Sequence, residues 1–317
     1  MEEHGAILDK LGHRKTALAS YDLARKGRQR ARQGMPDRPY FLRHCTTSVA
    51  EIHGYTNVLR AGASKRGAFV HVARGHAYLS TGRPRLALLD YEMALKLKPD
   101  QTQLFVAKGE ALAALGRHGE ALRALDRAVA GRPKDAEARG SRACALIALG
   151  RIAEADADWL KQLELLPRER HDARGCVLLR LGDYRMALGE LEQAVEKNPD
   201  DPWLHLYYLG AARRLGAPAQ PRLGATDVWP GPLIGLHSGA LGPAEILQRA
   251  DVPQRRAEAL FQLGVCASDR IEARRWLSQV VEIARPDTIE YSAARHEIER
   301  ARAGSCATGI VTAGANQ

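Results

Sequence analysis

Apolar and polar residues alternate with a helical period along most of this 317-residue chain, and the pattern recurs every 34 residues. In residues 73–100 and again in 107–135, apolar positions lie three and four residues apart, a spacing that places them on one face of an α-helix. Each segment holds two such stretches joined by a short turn. The pattern predicts an all-α protein built from helical hairpins.

Small residues and prolines keep the same register from repeat to repeat. The 34-residue offset aligns, without a gap, Gly75 with Gly109, Gly82 with Gly116, Ala87 with Ala121, and Pro99 with Pro133. Two more copies follow in residues 141–169 and, after a contraction of two residues, 173–201. Four repeats are therefore predicted over residues 68–201.

The aligned positions have physical roles in a packed hairpin. Small residues allow two helices to approach closely, and large residues fill the space between neighbouring hairpins. Glycine favours the turn that ends the first helix, and proline stops the second. The positions assigned to packing are Gly75, Ala87, Tyr91, Gly109, Ala121, Ala155, Trp159, Gly175 and Ala187.

In length, in small and large positions, and in the closing proline, these segments resemble the tetratricopeptide repeat. The resemblance implies an α-solenoid, a right-handed superhelix whose concave groove is lined by the first helix of each repeat. One hairpin cannot cover its own apolar face, so stacking of neighbours is required.

The register is weaker before residue 68. Residues 1–31 read as a partial repeat that starts inside its first helix, which indicates an upstream start, a fragment or a fraying end. Residues 32–67 read as a degenerate helical segment. Val49, Ile52 and Tyr55 have helical spacing there, so we expect either a degenerate hairpin or one long helix.

The register fails again after Pro199. Residues 202–300 are expected to form an atypical C-terminal repeat region, interrupted by a Pro- and Gly-rich break at 217–243. Within and after the break we expect short helices near 233–236 and 243–250. Trp229 is expected to cover apolar surface that a missing helix leaves exposed.

A repeat returns after the break, but with a shorter turn. Gly264 and Ala273 are nine residues apart, where the other repeats have twelve. A closing helix begins near residue 288, and residues 301–317 are expected to be a flexible tail.

Residues 200–300 resemble the C-terminal half of bacterial tetratricopeptide lipoproteins of the NlpI type. The resemblance is in the order of the segments: an incomplete repeat, a Trp-Pro segment, a repeat with "FQLG" and "EARRW", and then "IEYSAARHEIE". That resemblance implies an adaptor that docks hydrolases or proteases. The chain departs from the type by its contracted turn and by lacking a signal peptide and lipobox cysteine.

The net charge of +10 is concentrated at one end. Residues 1–67 hold 13 Lys and Arg against 6 Asp and Glu, a net charge of +7, and their densest run is "ARKGRQRAR" at 24–32. A solvated helix end explains this run; contact with nucleic acid is the alternative. No aromatic residue lies among these arginines, so a base-stacking platform is lacking and nucleic acid is an unlikely partner.

Targeting and cysteine patterns indicate a cytoplasmic protein. "EEHGAILDKLGHRK" after Met1 lacks the basic and apolar stretches of a signal peptide, and no apolar run is long enough to span a membrane. The five cysteines are odd in number and form no CxxC pair, which indicates reduced thiols. An envelope location would require a true N-terminus upstream of Met1.

No catalytic or metal-binding motif is present. The chain lacks HExxH, GxSxG and phosphate-loop sequences, and its eleven His show no ligand spacing. His44 and Cys45 are adjacent, so on a helix they would point about 100° apart. We expect no enzyme activity, no cofactor and no metal.

The candidate site is instead the groove. Its expected lining residues, in chain order, are Phe69, Val72, His76, Gln103, Val106, Glu110, Glu137, Cys144, Glu169, Asp172, Cys176, Trp203, Leu206 and Arg213. Acidic residues occupy the middle, and Phe69 and Trp203 lie near the ends. This arrangement suits a partner peptide or loop with Lys or Arg at its centre and an apolar anchor. The alternative is that these acids are ordinary solvated residues.

Two functional hypotheses remain open from the sequence. The first is a non-catalytic scaffold or adaptor for a partner protein. The sequence defines neither the identity of that partner nor the oligomeric state of this chain. The second is a regulatory module of a larger signalling or hydrolase-associated protein.

Overall fold

The computed structural model describes residues 49–60, 67–219 and 222–299, and every regular element within them is helical. This confirms the predicted all-α fold. The partial repeat at 1–31, the basic run at 24–32, His44 with Cys45, and the tail at 301–317 lie outside the described residues. The chain divides into two compact units between Leu165 and Leu166.

The described part of unit 1 is a series of packed hairpins. Its helices are α1 (Val49–Arg60), α2 (Gly67–Ser80), α3 (Pro84–Leu97), α4 (Gln103–Ala114), α5 (His118–Gly131), α6 (Ala136–Ala148) and α7 (Ile152–Leu165). Helices α2–α3, α4–α5 and α6–α7 are the hairpins of three repeats. The degenerate segment contributes α1, whose Ile52 and Tyr55 form a buried cluster with Val70 and Ala77 of α2.

Unit 2 holds the fourth repeat and the atypical region. Its helices are α8 (His171–Arg180), α9 (Tyr184–Lys197), α10 (Pro202–Leu215), α11 (Gly231–Ser238), α12 (Pro243–Arg249), α13 (Pro253–Cys266), α14 (Arg270–Ile283) and α15 over residues 289–299. Helix α11 extends two residues beyond the predicted 233–236 at each end.

The turn inside each regular hairpin depends on a left-handed glycine. Gly82, Gly116, Gly150 and Gly182 have φ angles of 75°, 73°, 76° and 66°, which side-chain-bearing residues rarely adopt. After α2, the backbone N–H of Arg83 donates to the carbonyl of Tyr78 at 2.8 Å. The glycine thus satisfies helix-end carbonyls while reversing the chain.

Close helix approach depends on a second set of glycines. A Cβ placed on Gly75 would lie 2.6 Å from the Tyr91 ring, and one on Gly109 would lie 2.5 Å from Leu125 Cγ. In both hairpins the large residue follows 16 positions after the glycine (91 − 75 and 125 − 109). Any larger side chain at the glycine would force these two helices apart.

The Pro- and Gly-rich break is fastened to α13 through Trp229. Its side chain is buried, and its indole Nε1–H donates to Glu258 Oε2 at 2.6 Å. Gln254 donates to the other oxygen of this carboxylate at 2.8 Å, and the Arg255 guanidinium lies 5.7 Å from the indole ring centre. Trp229 therefore gives a buried oxygen of Glu258 a hydrogen-bond donor, besides removing apolar surface from water.

The α13–α14 hairpin has a different turn from the others. Its cap residue, Ala267, has an extended backbone (φ −62°, ψ 131°), so no left-handed glycine is used. A Cβ on Gly264 would meet Leu277 Cγ at 2.8 Å. The large residue now follows after 13 positions (277 − 264) instead of 16, which keeps the close contact across a turn that is three residues shorter.

Candidate protein-interaction site

The first helices of unit 1 form a face of adjacent helices, because α2 packs against α4 and α4 against α6. We call the positions that the repeat register assigns to one side of these helices the first-helix face: Phe69, Val72, His76, Gln103, Glu110, Glu137 and Cys144, together with Ser141, which donates to Glu110. The Phe69 side chain near the start of α2 is 49% exposed. Burial of such a ring by a partner would be favourable by about 1–2 kcal/mol.

Two acids lie beyond Phe69 along this face. Glu110 of α4 accepts a hydrogen bond from Ser141 Oγ of α6 at 2.9 Å, which joins two successive repeats.

Val106, which was expected to line the groove, is buried in α4. That prediction was wrong because neighbouring helices cover this side of α4.

Glu137 lies in the first turn of α6 and remains exposed as a residue. Its pKa is nevertheless raised, chiefly because neighbouring atoms keep water from the carboxyl, and further by the charge of Asp135; Arg132 acts in the opposite direction. A partner cation placed against Glu137 would compensate for both unfavourable effects, because an opposite charge favours the ionised carboxyl.

His76 is the most enclosed ionisable group on the first-helix face. Its ring meets Tyr91 edge-on, with the centroids 5.4 Å apart. Burial of the ring lowers the pKa of His76 to about 4, although part of the residue reaches the surface. The imidazole is therefore neutral at pH 7, and it adds no positive charge to the face.

The acids predicted for the fourth repeat are differently placed. Glu169 lies in the turn before α8 and not on the helix, and its backbone carbonyl accepts from Lys197 Nζ at 3.5 Å. Asp172 is in the first turn of α8, where its carboxylate pairs with Arg170 at 3.1 Å. Asp172 is thus already neutralised, and Cys176 further along α8 is half-buried.

Helix α10 does not present the predicted aromatic anchor. Trp203 is 6% exposed and Leu206 is 1% exposed, because α10 packs against α8, α9, α11 and α13. Both are core residues, so their assignment to an open groove was wrong. Arg213, near the end of the same helix, is exposed as expected.

A recurring ionic cluster inside three of the hairpins, centred on a buried or half-buried carboxylate, was not predicted from the sequence. In the first hairpin Asp90 accepts from His71 Nδ1 and from Arg74 Nη2, each at 2.7 Å. The register-equivalent clusters are Arg139, Arg142 and Asp158, and His171, Arg174 and Glu190. A search for charged residues at i, i+3 and i+19 would have found all three sets.

The second hairpin replaces this cluster with aromatic packing. Its equivalent residues are Phe105, Lys108 and Ala124. The Arg127 guanidinium lies 4.2 Å from the Phe105 ring centre, a cation–π distance, and Lys108 Nζ pairs with Glu92 at 3.0 Å.

Within the described residues, the closest approach to a catalytic pair is Cys266 with His237. The Cys266 sulfur lies 3.7 Å from His237 Nδ1, and His237 Nε2 lies 2.9 Å from Gln262 Oε1. Burial raises the pKa of the Cys266 thiol to about 11 and lowers the pKa of His237. Both groups are neutral at pH 7, so the thiolate needed for nucleophilic attack does not form.

The described part of the chain offers neither a metal site nor a membrane-spanning helix. No cluster of three or more His, Cys, Asp or Glu side chains there could hold a metal ion. No helix in that part combines the length and apolar character of a membrane span.

The sequence matches the model of the tetratricopeptide repeat family over residues 72–136, 106–168 and 173–220. These segments coincide with the hairpins of the four regular repeats and with α10. The chain therefore contains tetratricopeptide repeats, in an α-solenoid arrangement of hairpins. Repeats of this class serve as protein-interaction modules, and residues 72–168 and 173–220 consist of such repeats.

Several solved structures are similar to this chain. PilF of Pseudomonas aeruginosa is 18% identical, over 74% of this chain and 99% of that one, with a TM-score of 0.43. MamA is 21% identical, over 47% and 86%, with a TM-score of 0.37. YrrB, a tetratricopeptide protein described as having an unusual peptide-binding site, is 18% identical, over 65% and 97%, with a TM-score of 0.35. No curated protein matches the sequence.

Proposed function

We propose that this chain is a non-catalytic scaffold that binds a peptide or loop of a partner protein on the first-helix face of unit 1. The observation that carries the proposal is an exposed Phe69 on the same face as the carboxylates of Glu110 and Glu137. This pattern matches a partner segment that has a Lys or Arg and, a short distance away, an apolar side chain. The aromatic ring would supply affinity, and the acids would fix the register and speed association.

Glu137 is the residue on which this proposal depends most. Its carboxylate is poorly solvated and lies near Asp135, so its charged form is disfavoured before binding. A partner's cation would favour that charged form, and binding should therefore strengthen as the pH rises through the carboxyl pKa. Glu110, by contrast, already accepts from Ser141 and should contribute less.

The test is binding of a set of fluorescently labelled peptides in solution, each with one apolar residue and two Lys or Arg, measured by fluorescence anisotropy. The same peptides with Glu in place of the cations serve as the comparison. We expect the basic peptides to bind more tightly, and Glu137→Gln to weaken them about tenfold. Glu120→Gln is the control, since Glu120 is on α5 and pairs with Arg117. Unchanged affinity of Glu137→Gln would contradict the proposal.

A cytoplasmic location is part of the same proposal. Within the described residues, Cys266 is a free thiol, which suits a reducing compartment. An adaptor that docks hydrolases or proteases, as the NlpI-type resemblance implies, is a narrower form of the proposal. Affinity capture followed by mass spectrometry, with the wild-type chain and Glu137→Gln side by side, would test that narrower form.

A further inference from the structure

Helix α3 exposes a row of large apolar side chains away from the first-helix face. Leu86, Leu89, Met93 and Leu97 are each between 41% and 59% exposed. Their spacings of three, four and four residues put them on one side of the helix. We call these four residues the α3 outer stripe. Its neighbours Ala87, Leu88 and Tyr91 point into the core.

The fold does not require apolar residues at these positions. The register-equivalent residues are Glu120, Arg123, Arg127 and Gly131 in α5, and Glu154, Ala157, Lys161 and Leu165 in α7. Both of those helices form the same hairpin with mostly polar or small residues there. The α3 outer stripe is therefore an added feature of one repeat, and a contiguous exposed apolar row of this kind is typical of an interaction surface.

The charges beside the stripe are positive. Arg85 and Lys96 lie on the exposed side of α3, and neither takes part in an ion pair within the described residues. The acid on that side, Glu92, is already paired with Lys108 at 3.0 Å. Asp90 is turned into the hairpin, where it pairs with Arg74. A partner would meet an apolar row with uncompensated cations along its edge.

This charge pattern selects one kind of partner. A second copy of the chain would set Arg85 and Lys96 against the same cations. The chain's own N-terminal residues 1–67, with 13 Lys and Arg against 6 Asp and Glu, have the wrong sign. We propose that the α3 outer stripe docks an acidic amphipathic helix of another protein, with apolar residues at i, i+3 or i+4, and i+7, and with Asp or Glu beside them.

The probe is a synthetic helical peptide of about five turns with Leu at that spacing and Glu on its flanks. One matched peptide carries Lys in place of every Glu, and another carries Ser in place of every Leu. Binding to the full chain is measured by fluorescence anisotropy. We expect the acidic peptide to bind at least about tenfold more tightly than either matched peptide.

The decisive variant gives α3 the residues that α5 carries at two of these positions, Leu89→Arg with Met93→Arg. The acidic peptide should then bind at least about tenfold more weakly, with unchanged urea unfolding. The control is Ala157→Arg with Leu160→Arg on α7, which adds the same two charges at exposed positions and should not weaken binding. Arg85→Glu with Lys96→Glu should remove the preference for the acidic peptide.

Three results would overturn the proposal. They are equal binding of the acidic and basic peptides, unchanged binding by the Leu89 and Met93 variant, and a homodimer in analytical ultracentrifugation that this variant dissociates. Glu137→Gln should leave binding of the acidic peptide unchanged, since Glu137 lies on α6. Failure of this inference is thereby distinguishable from failure of the function proposed for the first-helix face.

Discussion

The first and second hairpins share a register and a close glycine contact, but their other packing positions hold different kinds of residue. In α2–α3 a buried Asp90 holds His71 and Arg74, while α4–α5 has Phe105 and Ala124 at two of these positions. The outer side of α3 is apolar, whereas that of α5 is charged. A few small and large residues therefore fix the hairpin, and the remaining positions can be used for pairing or recognition.

The largest effect on stability is expected from removing Asp90, the acid that the second hairpin lacks. Asp90→Ala should destabilise the chain by about 3 kcal/mol, because it takes the buried carboxylate from the half-buried Arg74 and from His71 and leaves a cavity in the hairpin. Urea unfolding followed by circular dichroism measures this loss.

The matched variant gives the first hairpin the three residues that the second hairpin has at these positions. Its substitutions are His71→Phe, Arg74→Lys and Asp90→Ala. It should recover part of the loss, since the introduced phenylalanine fills apolar space and the flexible chain of the introduced lysine can carry its ammonium to water. A cost below about 0.5 kcal/mol for Asp90→Ala alone would show that the ionic cluster is not what holds this hairpin.

The glycines test the feature that the hairpins share. Gly75→Ala should cost about 2 kcal/mol, because the new Cβ would press on a fully enclosed Tyr91 ring. Gly109→Ala should cost about 1 kcal/mol, since the Leu125 side chain can change rotamer. Gly119→Ala is the control: no atom lies within 4 Å of its Cβ position, so the melting temperature should stay level or rise. Equal effects at all three sites would contradict the packing account.

The smallest effect concerns His76, where the second hairpin has Glu110. Burial lowers the pKa of His76 to about 4, so the folded state prefers the neutral ring. The neutral ring therefore contributes to the free energy of unfolding in full above the unfolded-state pKa of about 6.5. This contribution is lost as the pH falls toward 4. Between pH 7.5 and pH 5.5 the free energy of unfolding of the wild-type chain should fall by about 1 kcal/mol more than that of His76→Gln. Parallel urea titrations at the two pH values measure the difference, and identical losses would contradict the burial of this ring.

The parts of the fold that the sequence predicted are those with local causes. A glycine such as Gly82 with φ of 75° is required by the turn itself, and apolar spacing defines a helix within a few residues. For the same reason the sequence located α11 and α12 inside a segment rich in proline. These features depend on the chain's own backbone and not on what packs against it.

The candidate site was predictable only in part. Register alone placed Phe69 and Glu137 at equivalent positions of the first helices α2 and α6, but it could not say which positions stay open. Trp203 and Leu206 occupy equivalent positions in α10 and are buried, because the helices around α10 cover that side. Exposure is decided by the neighbours of a helix, so it cannot be read from the helix's own sequence.

By itself, the sequence determined the class of fold, the repeat length and the residues that let two helices approach, because each follows from local backbone preferences and periodic spacing. The tertiary structure alone decided that Trp229 satisfies Glu258 from 29 residues away, that Asp90 binds His71 and Arg74, and that the α3 outer stripe remains uncovered. Each of these depends on which surfaces meet after the hairpins stack, and hydrogen bonding and burial are properties of those surfaces.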